Sequence, residues 1–222
     1  MAVAVSSAML RSVPLFASFP EEPLRLLATV VTRRSATRGS IIMAAGDPTD
    51  SLYIVLSGRL KVMMSDADGK EVILTILGPG EFFGEMGLID DSARSASVVA
   101  IEPCELLAIT RRDFKKCLAE NFDMSMAVMR GLVRRLREAD RKIGSLALLD
   151  VYGRVARLLL DMAETVDGQK MVTKRLPKQD IAKMIGASRE MVSRVMKDLQ
   201  MGGFIEMRGS TIVLRDTILL PD

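Results

Sequence analysis

The chain has 222 residues, of which 49% are hydrophobic and 27% are charged, a composition typical of a soluble globular protein with one large or two modest domains. It contains no histidine, which excludes imidazole-based zinc and haem sites and every nucleophile that depends on a histidine base. Its two cysteines, Cys104 and Cys117, are too few for a four-thiolate iron–sulfur cluster and are expected to be buried free thiols. No metal or resident cofactor is expected, and binding is favoured over catalysis.

Charge is distributed unevenly along the chain. Residues 1–129 carry 13 Lys and Arg against 16 Asp and Glu, a balance of −3, whereas residues 130–222 carry 18 against 12, a balance of +6. A basic second half favours a polyanionic partner such as nucleic acid. No apolar run reaches the roughly 18 residues of a membrane span, and the apolar N-terminus lacks the leading Lys or Arg of a signal peptide. A cytoplasmic location without a membrane partner is expected.

Residues 37–109 alternate strand-length apolar runs with turn signals. The clearest runs are 51–56, 59–64 and 71–77, and the Asp68-Gly69 step predicts a hairpin between the last two. Short strands at this spacing predict a β sandwich or roll.

The apolar period changes at about residue 112, and no proline interrupts the chain from there to residue 143. Steps of alternately 4 and 3 residues form a heptad seam flanked by arginines, which predicts one long helix paired with a second copy of itself. The alternative is a helix packed on its own domain. The seam residues, apolar except for Asp140, are Phe122, Met126, Met129, Val133, Leu136, Asp140 and Ile143.

A further amphipathic helix is predicted from Leu146 to about Glu164, with a turn at Asp167-Gly168 after it. Helices over 178–185 and 188–201, joined at Gly186-Ala187, are typical of a helix-turn-helix with Ser188 as the second N-cap. Residues 209–214 predict the tip and return strand of a β wing, and a surface-charged helix hairpin is the alternative.

The second helix of this pair places polar residues on its outer side. Arg189 and Arg194 could donate to guanine, and Glu190 could accept from cytosine. Lys178 and Gln179 begin the first helix, where phosphates are readily held. The candidate DNA-binding residues are Lys178, Gln179, Ser188, Arg189, Glu190, Arg194 and Lys197. The expected partner is double-stranded DNA with a near-palindromic operator.

Several motifs are highly specific in combination: Gly46-Asp47, Leu52-Tyr53, Gly58, 84–88 (GEMGL), Arg94-Ser95-Ala96, 146–151 (LALLDV), and Ser188-Arg189-Glu190 with Arg194. With them the sequence resembles, over essentially its whole length, the cyclic-AMP receptor protein/FNR family of bacterial transcription regulators. The resemblance implies an α+β fold: an N-terminal double-stranded β-roll of the cyclic-nucleotide-binding type (1–111), a long dimerisation helix (112–145) and a C-terminal winged helix-turn-helix (146–222). It also implies an allosteric homodimer that meets RNA polymerase.

The resemblance places a cyclic nucleotide in the roll. Glu85 would accept from the ribose 2′-hydroxyl, and Arg94 with Ser95 would hold the phosphate, aided by backbone N–H groups around Gly84. In the alternative interpretation, Arg94 pairs with an internal carboxylate such as Glu85 or Asp91. The pocket could then be vestigial, with DNA bound without an effector. The candidate nucleotide-binding residues are Gly84, Glu85, Met86, Arg94, Ser95, Ala139 and Asp140.

Ala139 and Asp140 depart from the family pattern, because cyclic-AMP sensors offer a Thr-Ser pair to the purine at these positions. Ala139 makes no side-chain hydrogen bond, and an ionised Asp140 only accepts, which suits the N1–H and N2–H₂ edge of guanine. Cyclic GMP and cyclic di-GMP are therefore candidate effectors beside cyclic AMP. Alternatively, Asp140 sets the register of the dimer seam.

Other departures limit the expected function further. The 164–177 connection is a few residues shorter than in the cyclic-AMP receptor, where it touches polymerase, so an activator role is not assumed. The four cysteines of the oxygen sensors and the haem-binding histidine of the carbon-monoxide sensors are missing. The remaining class of function is an enzyme that pairs Glu85 with Asp90 or Asp91 as carboxylates.

Overall fold

The computed structural model describes residues 5–17, 19–173 and 176–215 of the chain. The chain divides into two compact units, Met1–Arg135 and Leu136–Asp222, and the boundary between them falls inside the longest helix. None of the described helices combines the length and the apolar character that crossing a bilayer requires.

The first unit is a β-roll with helices before and after it. Its strands are β1 (Thr32–Ala36), β2 (Ile41–Met43), β3 (Ser51–Ser57), β4 (Leu60–Ser65), β5 (Glu71–Leu77), β6 (Phe82–Phe83), β7 (Ser97–Ala100) and β8 (Cys104–Thr110). Its helices are α1 (Ser7–Arg11), a 3-10 turn (Pro14–Phe16), α2 (Glu21–Val30), α3 (Met86–Ile89), α4 (Arg111–Glu120) and the first part of α5 (Phe122–Leu148). The three strands predicted from the sequence are confirmed.

Two antiparallel four-stranded sheets form the roll, in the orders β1-β8-β3-β6 and β2-β7-β4-β5. Along β3, Tyr53 and Val55 pack into a core shared by both sheets, whereas the alternating Leu52 and Ile54 pack against the helices. The predicted hairpin between β4 and β5 is confirmed, with Gly69 at φ 77°.

The helix predicted as one piece from residue 112 is broken into α4 and α5, so that prediction was wrong. Asn121 is extended, with φ −137° and ψ 102°, and its side-chain oxygen caps α5 by accepting from the Met124 N–H at 3.0 Å. The break allows Phe114 on α4 and Met124 on α5 to enter the same core. Apolar spacing does not report the backbone conformation of a single residue, which explains the error.

The helix predicted from Leu146 to about Glu164 is shorter at both ends. α5 continues through Gly144 to Leu148, and the next helix, α6, is Val151–Met162. Asp150 starts α6, because its Oδ1 accepts from the Gly153 N–H at 2.8 Å.

The second unit contains the end of α5, then α6, β9 (Glu164–Val166), β10 (Gln169–Val172), α7 (Lys178–Ile185), α8 (Arg189–Met201), β11 (Ile205–Arg208) and β12 (Thr211–Leu214). Its strands form one sheet in the order β11-β12-β10-β9. The turn predicted at Asp167-Gly168 joins β9 to β10, with φ 49° and 75° at its two residues. Val155, Ile181 and Val192 join three helices in one core.

Candidate functional site

Arg94 lies shortly before β7, and its side chain is 4% exposed. Nη1 donates to the Gly84 carbonyl at 2.8 Å, and Nη2 donates to the Ser51 carbonyl at 2.7 Å and to Asp50 Oδ1 at 3.2 Å. The Asp50 side chain is 78% exposed. The buried guanidinium is therefore held by backbone carbonyls and a solvated carboxylate, which water weakens as a charge partner.

An aromatic pair from the inner core of the roll lies beside this guanidinium. The rings of Tyr53 and Phe83 stack with their centres 5.3 Å apart, and the guanidinium carbon of Arg94 lies 6.0 Å from the centre of the Tyr53 ring. At this distance the ring attracts the positive charge. Arg94 thus sits where the inner apolar core meets the polar loop before β7.

Glu85 occupies the N-cap position of α3, and its side chain is 1% exposed. Its Oε1 accepts from Arg135 on α5, which also donates to the Phe82 carbonyl. Its Oε2 is buried without a hydrogen-bond partner among the described residues. A buried acceptor left unpaired costs about 1–3 kcal/mol, so a ligand that donates to this oxygen would recover that free energy.

In the alternative interpretation Arg94 pairs with an internal carboxylate, and it does pair with one, Asp50, although the two partners named from the sequence, Glu85 and Asp91, are wrong. Glu85 pairs with Arg135, and Asp91 pairs with Arg111 and with Lys115. Arg135 is a site residue that was not predicted from the sequence. Arg135 flanks the heptad seam, and its pairing with Glu85 spans 50 positions, so no local pattern connects the two.

Backbone and small side chains complete this part of the site. Gly84 has φ +84°, and a Cβ there would lie 2.5 Å from Arg94 Nη1, so glycine is required for the close approach. Ser95 is exposed, and its hydroxyl lies 3.9 Å from the sulfur of the exposed Met86. The candidate nucleotide-binding residues before residue 100 therefore form one group in the first unit.

The predicted seam of α5 is largely exposed in the single chain. Its exposed members are Phe122, Met129, Val133, Leu136, Asp140 and Ile143, and Met126 is half-buried. Ala139, beside Asp140, is exposed as well. The packed face of α5 is formed instead by Met124, Val128 and Gly131. A contiguous exposed apolar stripe is typical of a protein interface.

The helix pair α7 and α8 has the predicted bounds to within one residue. Gly186 ends α7 in the left-handed region at φ 65°, and Ser188 starts α8 by accepting from the Met191 N–H at 3.2 Å. Arg154 of α6 donates to the Ile185 carbonyl at 2.8 Å and so fixes the end of α7. The residues predicted to pack inward are buried: Val192, Val195, Met196 and Leu199. The residues predicted to face DNA are exposed: Lys178, Gln179, Ser188, Arg189, Glu190, Arg194 and Lys197.

Two carboxylates on this surface are held in the ionised form. The backbone N–H of Glu190 and the Ser188 hydroxyl lower the pKa of Glu190, which keeps it a hydrogen-bond acceptor at neutral pH. In the wing formed by β11 and β12, Arg208 lowers the pKa of Glu206, with a smaller effect of Arg215. The wing tip predicted at Gly209 joins these strands, with φ 62°.

The acidic residues and the two cysteines of the described part of the chain are candidate metal ligands. No group of three or more His, Cys, Asp or Glu in that part of the chain is placed to hold a metal ion. Cys104 is buried and Cys117 is half-buried, both as free thiols, and burial raises the pKa of each.

Both the β-roll and the helix-turn-helix are similar to known proteins. A family model described as a cyclic nucleotide-binding domain matches residues 33–121, and a Crp-like helix-turn-helix domain matches residues 153–220. The chain is 38% identical over 185 residues to the cAMP-activated global transcriptional regulator CRP of Pasteurella multocida, with 80% of this chain and 87% of the relative covered. It is 36% identical over 192 residues to the cAMP-activated global transcriptional regulator Vfr of Pseudomonas aeruginosa, with 83% and 90% covered. A solved structure of the c-di-GMP responsive global regulator CLP of Xanthomonas campestris is similar at 30% identity and a TM-score of 0.74, with 89% of this chain and 100% of that chain covered.

Proposed function

The chain belongs to the cyclic-AMP receptor protein/FNR family of DNA-binding transcription regulators, and from this premise we propose that it is a homodimer whose operator affinity is controlled by a cyclic nucleotide in the β-roll. Residues 1–111 would bind the effector, 112–145 would dimerise and 146–222 would bind DNA. Family members are transcription regulators and not enzymes, so Glu85 is interpreted as a binding residue rather than a catalytic partner of Asp90 or Asp91.

The observation that carries this proposal is the buried Oε2 of Glu85, which lacks a partner in the described part of the chain. A ribose 2′-hydroxyl is a neutral donor of the right kind, and Oε1 would stay with Arg135 when it binds. Burial makes the new hydrogen bond stronger than the same bond in water.

The phosphate would bind beside Arg94, with Gly84, Met86 and Ser95 around it. The carboxylate that meets Arg94 is that of the largely solvated Asp50, and a phosphate oxygen would take over its place at the guanidinium. The exposed hydroxyl of Ser95 has a weak contact with the Met86 sulfur, so it could turn to donate to the phosphate at little cost.

The base would meet Ala139 and Asp140, and we propose a guanine nucleotide, cyclic GMP or cyclic di-GMP, in preference to cyclic AMP. An ionised Asp140 accepts hydrogen bonds, and guanine presents donors at N1 and N2. The similar CLP regulator is described as c-di-GMP responsive, which agrees with this choice, while the CRP and Vfr relatives are described as cAMP-activated. Because of these cAMP-activated relatives, cyclic AMP is included among the nucleotides to be titrated.

Control would work by a shift between dimer arrangements. In the proposed dimer two copies of α5 pair along the exposed seam, and the nucleotide favours one spacing of the two α8 helices. The helices must lie about 34 Å apart to enter successive major grooves of a near-palindromic site. Arg189, Glu190 and Arg194 would contact bases, while Lys178, Gln179, Ser188 and Lys197 would contact the backbone. Contact with RNA polymerase stays a prediction.

A second candidate function is the same regulator with a vestigial pocket, which binds DNA without a nucleotide. One observation favours it: both charged residues already have partners in the single chain, Arg94 at Asp50 and Glu85 at Arg135. A nucleotide would then have to compete with these ion pairs.

Calorimetric titration of the full chain with cyclic AMP, cyclic GMP and cyclic di-GMP separates the candidates. The proposal predicts saturable binding, tightest for a guanine nucleotide. Tight binding of cyclic AMP with none of the guanine nucleotides would disprove the proposed base preference. Binding of none of the three would leave the vestigial pocket as the explanation.

A further inference from the structure

Arg111, the first residue of α4, donates hydrogen bonds to several segments that adjoin the candidate nucleotide-binding residues in sequence. Nη2 donates to the Thr49 carbonyl at 2.6 Å and to the Gly87 carbonyl at 3.3 Å, and Nε donates to Thr49 at 3.2 Å. Nη1 donates to Asp91 Oδ1. The backbone N–H of Arg111 also donates to the Asp50 carbonyl at 2.7 Å. One side chain thus joins the entry of β3, helix α3 and the loop before β7.

Two of these segments carry the residues that orient the site. Asp50 and Ser51, which accept from Arg94, directly follow the Thr49 carbonyl that Arg111 holds. Helix α3, whose Gly87 carbonyl Arg111 also contacts, begins immediately after Glu85. The acceptors of Arg94 and the backbone of Glu85 are therefore fixed to a common donor outside the pocket.

Asp91 completes this arrangement. It has φ 58°, an unusual backbone conformation for a residue other than glycine, and its Oδ1 accepts from Arg111 and from Lys115 Nζ at 3.0 Å. The hydrogen bond from Lys115 is the main cause that lowers the pKa of Asp91, so the carboxylate is ionised at neutral pH. In the same loop, the Thr49 hydroxyl donates to the Ser92 carbonyl at 2.9 Å. The loop between α3 and β7 is thus tied to α4.

We propose that Arg111 is a positioning residue for the nucleotide, which holds Arg94 and Glu85 in their binding geometry through Thr49, Gly87 and Asp91. This inference rests on the proposed function above. A guanidinium is suited to the role because its planar fork donates in several directions at once, which a lysine ammonium at the same place does not reproduce.

The test compares four variants of the full chain: Arg111→Ala, Arg111→Lys, Asp91→Asn and the control Arg112→Ala. Arg112 is the next residue on α4, its side chain is 86% exposed, and it pairs with Asp113 on the same helix. Each variant is titrated calorimetrically with whichever of cyclic AMP, cyclic GMP and cyclic di-GMP the unaltered chain binds. Melting is followed without nucleotide, and DNA affinity is measured at saturating nucleotide.

We expect Arg111→Ala to weaken nucleotide binding about 10- to 100-fold, the range found when residues that orient metal ligands are removed. Arg111→Lys and Asp91→Asn should give smaller losses. Arg112→Ala should stay within about twofold of the unaltered chain, because the Arg112 side chain is almost fully exposed and water weakens its pairing with Asp113. Saturating nucleotide should restore DNA affinity, which a merely structural defect would not allow.

Three results would overturn the inference. In the first, folded Arg111→Ala binds the nucleotide as tightly as the unaltered chain. In the second, Arg111→Ala does not fold, and the folded Arg111→Lys and Asp91→Asn variants bind with unaltered affinity. In the third, the unaltered chain binds no nucleotide, which overturns the proposed effector control as well and so differs from the first two.

Discussion

The DNA-binding helix pair and the proposed nucleotide pocket are built by different kinds of contact. In the helix pair the decisive bonds are local: Ser188 caps α8 by accepting from Met191, three residues further on, and Gly186 turns the chain just before it. In the pocket, Arg94 meets Asp50 across 44 positions and Glu85 meets Arg135 across 50. Local contacts leave a pattern in the sequence, whereas distant ones depend on the register of the whole roll. The two regions should therefore respond differently to mutation.

The largest effect is expected from Arg94→Ala in the pocket. Nucleotide affinity should fall at least a hundredfold, because each hydrogen bond between a charged pair of groups contributes about 1.5–3 kcal/mol. DNA affinity should no longer change with nucleotide. The variant should still bind DNA, because α7 and α8 belong to the other unit. Calorimetry and fluorescence anisotropy with labelled DNA measure the two quantities.

Arg59→Ala is the matched control, because Arg59 is also a roll arginine that pairs with a carboxylate, Glu102, at 2.8 Å. It should leave nucleotide affinity nearly unchanged. Equal losses in the two variants would show that Arg94 acts through general stability of the roll and not through the phosphate.

The same contrast explains how much of the fold and of the candidate site could be predicted from the sequence. The strands β3 to β5 and the helices α7 and α8 follow from apolar period, turns and caps, which are local. The break at Asn121 was missed because no proline marks it and because apolar spacing does not report the backbone conformation of a single residue. The roles of Arg135 and Asp50 were not predicted, because their partners, Glu85 and Arg94, are distant in sequence and only the folded roll brings them near.

Arg189→Ala tests base recognition in the helix pair. We expect a loss of about 1–3 kcal/mol on the operator and a relaxed preference at the contacted base, because the fork to guanine is removed. Competition binding with operator and random DNA gives the ratio. Equal losses on both DNAs would contradict direct recognition by Arg189.

Ser188→Ala tests whether the helix pair is as local as described. Loss of the N-cap of α8 should lower the free energy of unfolding by about 0.5–2 kcal/mol, measured by chemical denaturation. Ser193→Ala, within the same helix, removes a hydroxyl without removing the cap and serves as the control. If both variants are equally stable, the cap does not stabilise α8.

Lys178→Ala should give the smallest effect. Lys178 is exposed at the start of α7 and is proposed to meet a phosphate. Loss of one phosphate contact should weaken operator and random DNA alike and reduce the slope of log affinity against log salt by about 0.9. Anisotropy titrations over a salt series measure the slope. A loss confined to the operator would assign Lys178 to base recognition instead.

The most direct test of the account couples its two regions in a single titration. Affinity for a near-palindromic operator is measured with increasing cyclic AMP, cyclic GMP or cyclic di-GMP, on the unaltered chain and on Arg94→Ala. Effector control through the β-roll predicts a saturable change of about 5- to 150-fold with a guanine nucleotide on the unaltered chain, and none on Arg94→Ala. Operator affinity that stays constant with all three nucleotides would contradict effector control through the β-roll.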